Sequence, residues 1–219
     1  CFDLAIVDPP YGINVDRMAY TKDENRKVKQ KNGSTLNVHK NKYNCHEWDR
    51  IPPDCIYFNE LFRVSKNQII WGVNYMPVIL NGGRIVWDKC NGNNDFSDCE
   101  IAFCSLSRRG KRFRYMLSGM MQGKSIDKGH IQQGNKKLNE VRIHPTQKPV
   151  ALYKWLLKNY AKPGYKILDT HLGSGSICIA CDEMGFEITG IELNEHYYEA
   201  AKKRIQIHQL QTKLEFYEK

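Results

Sequence analysis

Apolar residues recur along the chain as short runs alternating with helix-spaced stripes. Residues 2–7 form an apolar run that stops at Asp8-Pro9-Pro10-Tyr11. Two prolines donate no ladder hydrogen bond, so a strand must end there and a rigid loop begin. Residues 12–50 show no sustained apolar period and read as one long mobile excursion. Across residues 54–64, Ile56, Tyr57, Leu61, Phe62 and Val64 fall on the spacing of an amphipathic helix. Residues 68–71 and 84–87 predict short buried strands, with a short helix over 75–80 and an Asn81-Gly82-Gly83 turn between them. A further strand is expected over 100–105, and a helix over 149–160 carries Val150, Leu152, Tyr153, Leu156 and Leu157 on one side. Pro163-Gly164 turns the chain into a strand at 166–168, and Gly173-Ser174-Gly175 leads into a helix over 176–184 that Gly185 ends. The pattern closes with a strand at 187–191, a helix at 195–208 and an edge strand at 214–217. Strands alternating with helices predict an α/β, three-layer domain around a mostly parallel sheet.

A length of 219 residues suits one domain with a sizeable core, and 41% hydrophobic with 26% charged residues excludes disorder and a membrane-embedded class. No stretch approaches the roughly 20 apolar residues of a spanning helix, and no signal-type start is visible, so a cytoplasmic location is expected. The chain opens without Met inside an apolar run, which implies further residues upstream. Eight scattered cysteines in a chain of this size read as reduced thiols. Cys178 and Cys181 lie i, i+3 in an apolar stretch and read as one packed helix face, and the remaining Cys and His lack paired ligand spacing, so no metal centre is expected.

Charge changes the picture more than composition does. The formal charge of +9 is local: residues 105–148 carry eleven Lys and Arg against Asp127 and Glu140, residues 17–42 carry eight against Asp23 and Glu24, and the remainder is net acidic. Both stretches are rich in Gly, Asn, Gln and Ser, which suits segments that meet a polyanion and also suits solvated loops with surplus lysines. Interleaved Arg and aromatic residues in Arg108-Arg109-Gly110-Lys111-Arg112-Phe113-Arg114-Tyr115 favour nucleic acid.

Two motifs carry chemistry. A strand ending at Asp169, a Gly-containing turn, a helix and a second strand before Glu192 make a βαβ unit of the nucleoside-binding kind. Gly173 and Gly175 let backbone approach a ligand, the helix N-terminus offers free N–H groups, and Glu192 can accept both ribose hydroxyls; a plain tight turn with a surface glutamate is the alternative. Asp8-Pro9-Pro10-Tyr11 places a carboxylate, two stiff prolines and an aromatic at a strand's carboxyl end. The Asp8 carboxylate and Pro9 carbonyl can accept from an exocyclic amine while Tyr11 stacks on its base, although four residues in isolation also make an ordinary loop start.

Together with these, the chain resembles the β-class amino-group DNA methyltransferases that use S-adenosylmethionine, in phage and prophage form. The residues that carry the resemblance are Asp8-Pro9-Pro10-Tyr11, the segment His144-Pro145-Thr146-Gln147-Lys148-Pro149, and the loop Leu168-Asp169-Thr170-His171-Leu172-Gly173-Ser174-Gly175-Ser176. The catalytic motif comes first and the cofactor loop last, which is the circularly permuted order of that class. Trp87-Asp88-Lys89, Asp95-Phe96-Ser97-Asp98 and Ser118-Gly119-Met120 extend the likeness over nearly the whole chain. The family's Pro-Phe before the glycines is Thr170-His171 here, with His171 read as loop packing.

The resemblance implies a Rossmann-like methyltransferase fold with the catalytic and cofactor loops at neighbouring strand ends. Asp169, Gly173 and Gly175 would surround the cofactor's amino-acid part, Glu192 would hold its ribose, and Thr146, Gln147 and Lys148 would lie near its carboxylate. Asp8, Pro9, Pro10 and Tyr11 would act on adenine N6, flipped from double-stranded DNA, by direct in-line transfer. Ser at the first motif position is more typical of cytosine N4 enzymes, so Asp8 favours adenine; cytosine N4 transfer and a catalytically silent DNA-binding module are the alternatives. Residues 12–50 would be a loop over DNA, about 105–143 a target-recognition segment with Arg108, Arg109, Arg112 and Arg114 on DNA, and 144–219 the cofactor part. A bacterial or phage-infected cytoplasm, a homodimer and a cognate restriction nuclease are further implications of the family.

Overall fold

Leu4–Val7 form β1, a strand buried at all four positions because it has neighbours on both edges and helices over both faces. It lies at the centre of a computed structural model that describes residues 1–15, 25–29, 33–39, 49–91, 97–118, 121–123 and 139–217. The strand pairs in parallel with β10 (Lys166–Asp169) on one side and β4 (Gln68–Trp71) on the other. The sheet is completed in the order β11 (Glu187–Gly190), β10, β1, β4, β6 (Cys99–Cys104), β5 (Gly83–Asp88), β7 (Gly110–Arg114). Six strands point one way and β6 alone runs against both its neighbours.

The period-two alternation of β1 builds the three layers. Leu4 and Ile6 pack with Leu152 and Leu156 of α2 (Val150–Tyr160) and Ile177 of α3 (Ser176–Met184). Ala5 and Val7 turn to the other face, against Phe58 and Leu61 of α1 (Cys55–Val64). The chain leaves β1 through α1 towards β4, and leaves β10 through α3 towards β11 in the opposite direction. The β1–β10 boundary is therefore a switch point, where diverging connections leave a crevice beyond the carboxyl ends of an α/β sheet. Leu4 stands opposite Ile167 and Ala5 opposite Leu168, so Asp169 falls level with Ile6, and Asp8 emerges two residues further along at the same crevice.

This is the expected α/β Rossmann-like architecture, with four local differences. The helix expected at 75–80 is only a 3-10 turn at Val73–Tyr75, because Met76 is extended ahead of Pro77, as residues before proline are. The edge strand expected at 214–217 is instead the last turn of α4 (Glu195–Tyr217); with no Gly or Pro to stop it, propagation needs no new nucleus. The basic stretch contains the unforeseen β7, followed by the short pair β8 (Leu117–Ser118) and β9 (Met121–Gln122). Within the 12–50 excursion, β2 (Asn25–Lys29) and β3 (Thr35–His39) form an antiparallel pair, and residues 16–24, 30–32 and 40–48 lie outside the described residues. Residues 119–120 and 124–138 of the expected recognition segment do so as well. Among the described residues no helix is long and apolar enough to cross a membrane.

Candidate active site

Asp8, Pro9, Pro10 and Tyr11 line a cavity of about 500 Å³ at the carboxyl edge of the sheet, joined there by Thr146, Gln147 and Lys148. Sites for small molecules have this size, roughly 300–1,000 Å³. The loop is clamped by Asp49, which is 1% exposed. Its Oδ1 accepts from Tyr11 N at 2.7 Å and Gly12 N at 3.0 Å, and its Oδ2 accepts from Val15 N at 3.0 Å. The Tyr11 ring stacks on Tyr75, with centroids 5.2 Å apart, and lies so close to Gly72 that a Cβ there would be 2.1 Å from its Cε1. Gly72 also has φ of 68°, so both the backbone and the contact demand glycine.

The charged groups of the cavity form one chain. Lys148, buried to 1% side-chain exposure, places Nζ 2.5 Å from Asp8 Oδ2, 2.9 Å from Glu100 Oε2 and 3.1 Å from the Tyr11 hydroxyl. Tyr11 donates to Asp8 Oδ1 at 2.7 Å, and Lys89 reaches Glu100 Oε1 at 2.7 Å. Burial lifts the Asp8 carboxyl above its ordinary range, with Lys148 pulling against it and Glu100 adding to it. Burial opposes the Glu100 charge too, but Lys148 and Lys89 outweigh it and hold that carboxyl at about 2. Lys148 stays charged because Asp8 and Glu100 outweigh its own burial. Burial and the two carboxylates push the Tyr11 hydroxyl well above its ordinary value, so it remains a donor.

The glycine loop stands at the neighbouring strand end. Gly173 and Gly175 have φ of 52° and 69°, and Gly175 caps α3, with Ala201 and Ile205 of α4 packed against it. Glu192 Oε2 accepts from Gly173 N at 2.7 Å and its Oε1 from Asn194 N at 2.9 Å, which ties the β10 and β11 loops together. Asp169 is buried, accepts from His171 N at 3.0 Å, and is pushed up by burial to about 7. His171 Nδ1 lies 3.0 Å from Thr170 Oγ1, its ring meets Tyr57 edge-on at 5.3 Å, and burial holds it down at about 4. Neutral and packed, it occupies the loop as the sequence reading expected.

The structure thus brings Asp8, Pro9, Pro10 and Tyr11 into one cavity with Thr146, Gln147 and Lys148, and gathers Asp169, Gly173, Gly175 and Glu192 beside it. Within the His144–Pro149 segment, the side chains are already engaged with protein partners. Gln147 spends its amide on Ile143 N and Val141 O, and Thr146 Oγ1 lies 3.1 Å from His144 Nδ1, so both shape their own turn. Lys148, expected as a counter-charge to a cofactor carboxylate, is committed to Asp8 and Glu100. The arginines are spread along and ahead of β7: Arg114 ends the strand at the carboxyl edge of the sheet, with Asp88 at 3.0 Å, whereas Arg108 and Arg109 precede the strand at the opposite end of the sheet.

A family model for amino-group (N6/N4) enzymes, described as DNA methylase, matches residues 86–203. The chain belongs to this family. The methylase is 41% identical over 215 residues to a putative methylase, YubD, of Escherichia coli, spanning 93% of this chain and 81% of that protein. It is 26% identical over 236 residues to the type II methyltransferase M.HpaI of Haemophilus parainfluenzae, spanning 93% and 68%. Among solved structures, the M1.HpyAVI–SAM complex aligns with a TM-score of 0.47 at 16% identity, covering 93% of this chain and 88% of that one. Asp49, Glu100 and Lys89 are the site residues of the methylase to which sequence reasoning gave no role. Lys89 ends the Trp87-Asp88-Lys89 motif and Glu100 follows Asp98 by two residues, but nothing in their spacing told that β6 runs backwards and so delivers its first residues, not its last, to the cavity.

Proposed function

We propose that this methylase transfers a methyl group from S-adenosylmethionine to the exocyclic N6 of adenine flipped out of duplex DNA. The observation that carries the reading is Asp8 at the first position of its motif, with its carboxylate on the wall of a base-sized cavity at the switch point. The residues of the glycine loop fit the cofactor by their chemistry. A buried carboxyl such as Asp169 favours a cationic partner like the methionine ammonium, and each Glu192 oxygen, accepting one N–H, keeps a lone pair for a ribose hydroxyl. The bound cofactor supplies an electrophilic sulfonium methyl. Asp8 accepts a hydrogen bond from the target amine and draws its nitrogen lone pair out of conjugation, and Tyr11 offers a stacking face when Tyr75 yields it, worth roughly 1–3 kcal/mol against the cost of flipping. Residues 12–50 serve as a loop over DNA, the segment around 105–143 contributes to target recognition, and 144–219 holds the cofactor.

Labelled S-adenosylmethionine, unmodified DNA and nucleoside analysis test this, with Asp8→Ala as control. N6-methyladenine that disappears in the variant is the expected result. N4-methylcytosine would keep the chemistry and overturn the base, and DNA binding without any methylated base would leave only a binding module.

A further inference from the structure

In the structure, both Asp8 oxygens are engaged, Oδ1 by the Tyr11 hydroxyl and Oδ2 by the Lys148 ammonium. Each oxygen keeps a lone pair, but a target amine competes with both partners for the charge of this carboxylate, above all with the Lys148 ammonium at 2.5 Å. Tyr11 is a neutral donor and can rotate its proton to Glu100 Oε2, 3.2 Å away. Lys148 is a cation at 1% exposure and cannot leave an anion for an apolar wall, because an unpaired buried charge is too costly. Glu100 removes that obstacle: its carboxylate stands 2.9 Å from the same ammonium, with Trp71 and Tyr11 rings around the Nζ at 5.3 and 5.5 Å. Lys89 holds Glu100 from the other side, so Lys89, Glu100, Lys148 and Asp8 alternate in sign and sum to zero.

We propose that Glu100 is a positioning residue of methyl transfer, which takes over the Lys148 ammonium as the target amine takes over the Asp8 carboxylate. Glu100 touches no reacting atom. It keeps Lys148 divided between two anions, so that Asp8 remains an available acceptor, and Lys89 sets how strongly Glu100 competes. No bond is made or broken in this exchange: one hydrogen bond to Asp8 is replaced by another while the ammonium keeps its proton. The inference rests on the proposed amine methylation at Asp8, and deepens it.

The test is the pH dependence of single-turnover methyl transfer in Glu100→Gln, Glu100→Asp and Lys89→Met. Glu100 is a like charge that raises Asp8, so its neutralisation should move the acid limb of the profile to lower pH. The plateau should fall as well, by roughly tenfold or more, because Lys148 then rests on Asp8 alone. Lys89→Met frees Glu100 to claim Lys148 and should move the acid limb the other way, to higher pH. Glu100→Asp keeps the charge and should hold the limb near its native place with part of the rate restored. Asp169 of β10, Tyr57 of α1 and Tyr153 of α2 are other titratable groups within electrostatic reach of Asp8, and all three are the same in every variant. Binding of S-adenosylhomocysteine by calorimetry confirms that each variant is folded. A folded Glu100→Gln with native rate and native limb overturns the proposal, as does a rate loss with unshifted limbs in both charge variants, which is the mark of a merely structural residue. A native chain that methylates no amine in DNA fails one level lower, and takes both readings with it.

Discussion

Two carboxylates of the site, Asp169 and Asp49, bear on stability in opposite directions. Asp169 is ionised at neutral pH only at a cost, since burial lifts it to about 7 from an unfolded value near 3.8. A raised folded pKa means that its contribution is fully present below about 3.8 and is lost as pH rises through 7, at about 1.4 kcal/mol per pH unit. Asp169→Asn is therefore expected to melt higher than the native chain at pH 8 without cofactor, with the gap closing towards pH 4, while cofactor affinity drops. A gap that does not close in thermal melts across that range would refute the assignment of the strain to this carboxyl. Asp49 stabilises instead, because its side-chain oxygens accept from three backbone N–H groups of the catalytic loop. Asp49→Ala strands those N–H groups in a closed turn, and urea melts should show a loss of about 2–4 kcal/mol. The rate of transfer should fall more than DNA affinity does, since the residue fixes Tyr11 rather than binding the duplex.

At the scale of elements, what was legible followed from periodicity, and what was not followed from direction and partner. The runs at β1, β4 and β10 and the stripes of α2 and α3 are buried on the faces their spacing implies, because burial itself imposes the period, whereas α1 buries Phe58 and Leu61 and leaves Ile56 and Phe62 of its expected stripe exposed. β7 escaped notice since its Arg-Phe-Arg alternation, with Phe113 buried and its neighbours exposed, reads as a basic run unless the neighbouring β5 is known. The cofactor-side motif was readable residue by residue, yet its support was not. Arg204 of α4 donates to Ser174 O at 2.9 Å and Ser176 Oγ at 2.8 Å, and pairs with Glu140 at 3.1 Å. Glu140 in turn accepts from Val150 N at the start of α2. One arginine thus joins the glycine loop, α3 and α2 across distances that sequence spacing does not reveal. Arg204→Met should destabilise by about 3 kcal/mol, because it leaves the Glu140 carboxylate buried without its cation. The double variant with Glu140→Gln should regain part of that loss, whereas equal melting of single and double variants would show that the pair is not coupled.

On the scale of the whole molecule, the orientation of the sheet decides which positive charges can meet DNA at the cavity. Six parallel strands send their carboxyl ends to one edge, where Asp8, Lys148 and Glu100 gather, and β7 ends there at Arg114 beside Asp88. Arg112 shares the strand face of Arg114, as period two requires, with Phe113 turned the other way. Arg108 and Arg109 precede Gly110, about 13 Å of strand away from Arg114, beside the start of β5. A duplex that delivers a base to the cavity is therefore expected to run past Arg112 and Arg114 rather than past Arg108 and Arg109. Each phosphate contact removed should lower the slope of log affinity against log salt by about 0.9. Replacing Arg112 and Arg114 together with Ala should reduce that slope by nearly two for an unmodified duplex, and replacing Arg108 and Arg109 should leave it as it was. Fluorescence-anisotropy titrations between 50 and 200 mM salt, conditions under which such contacts are expressed, measure both. The reverse outcome would put DNA across the opposite edge of the sheet, where no loop motif of the methylase lies, and would separate its binding surface from the cavity.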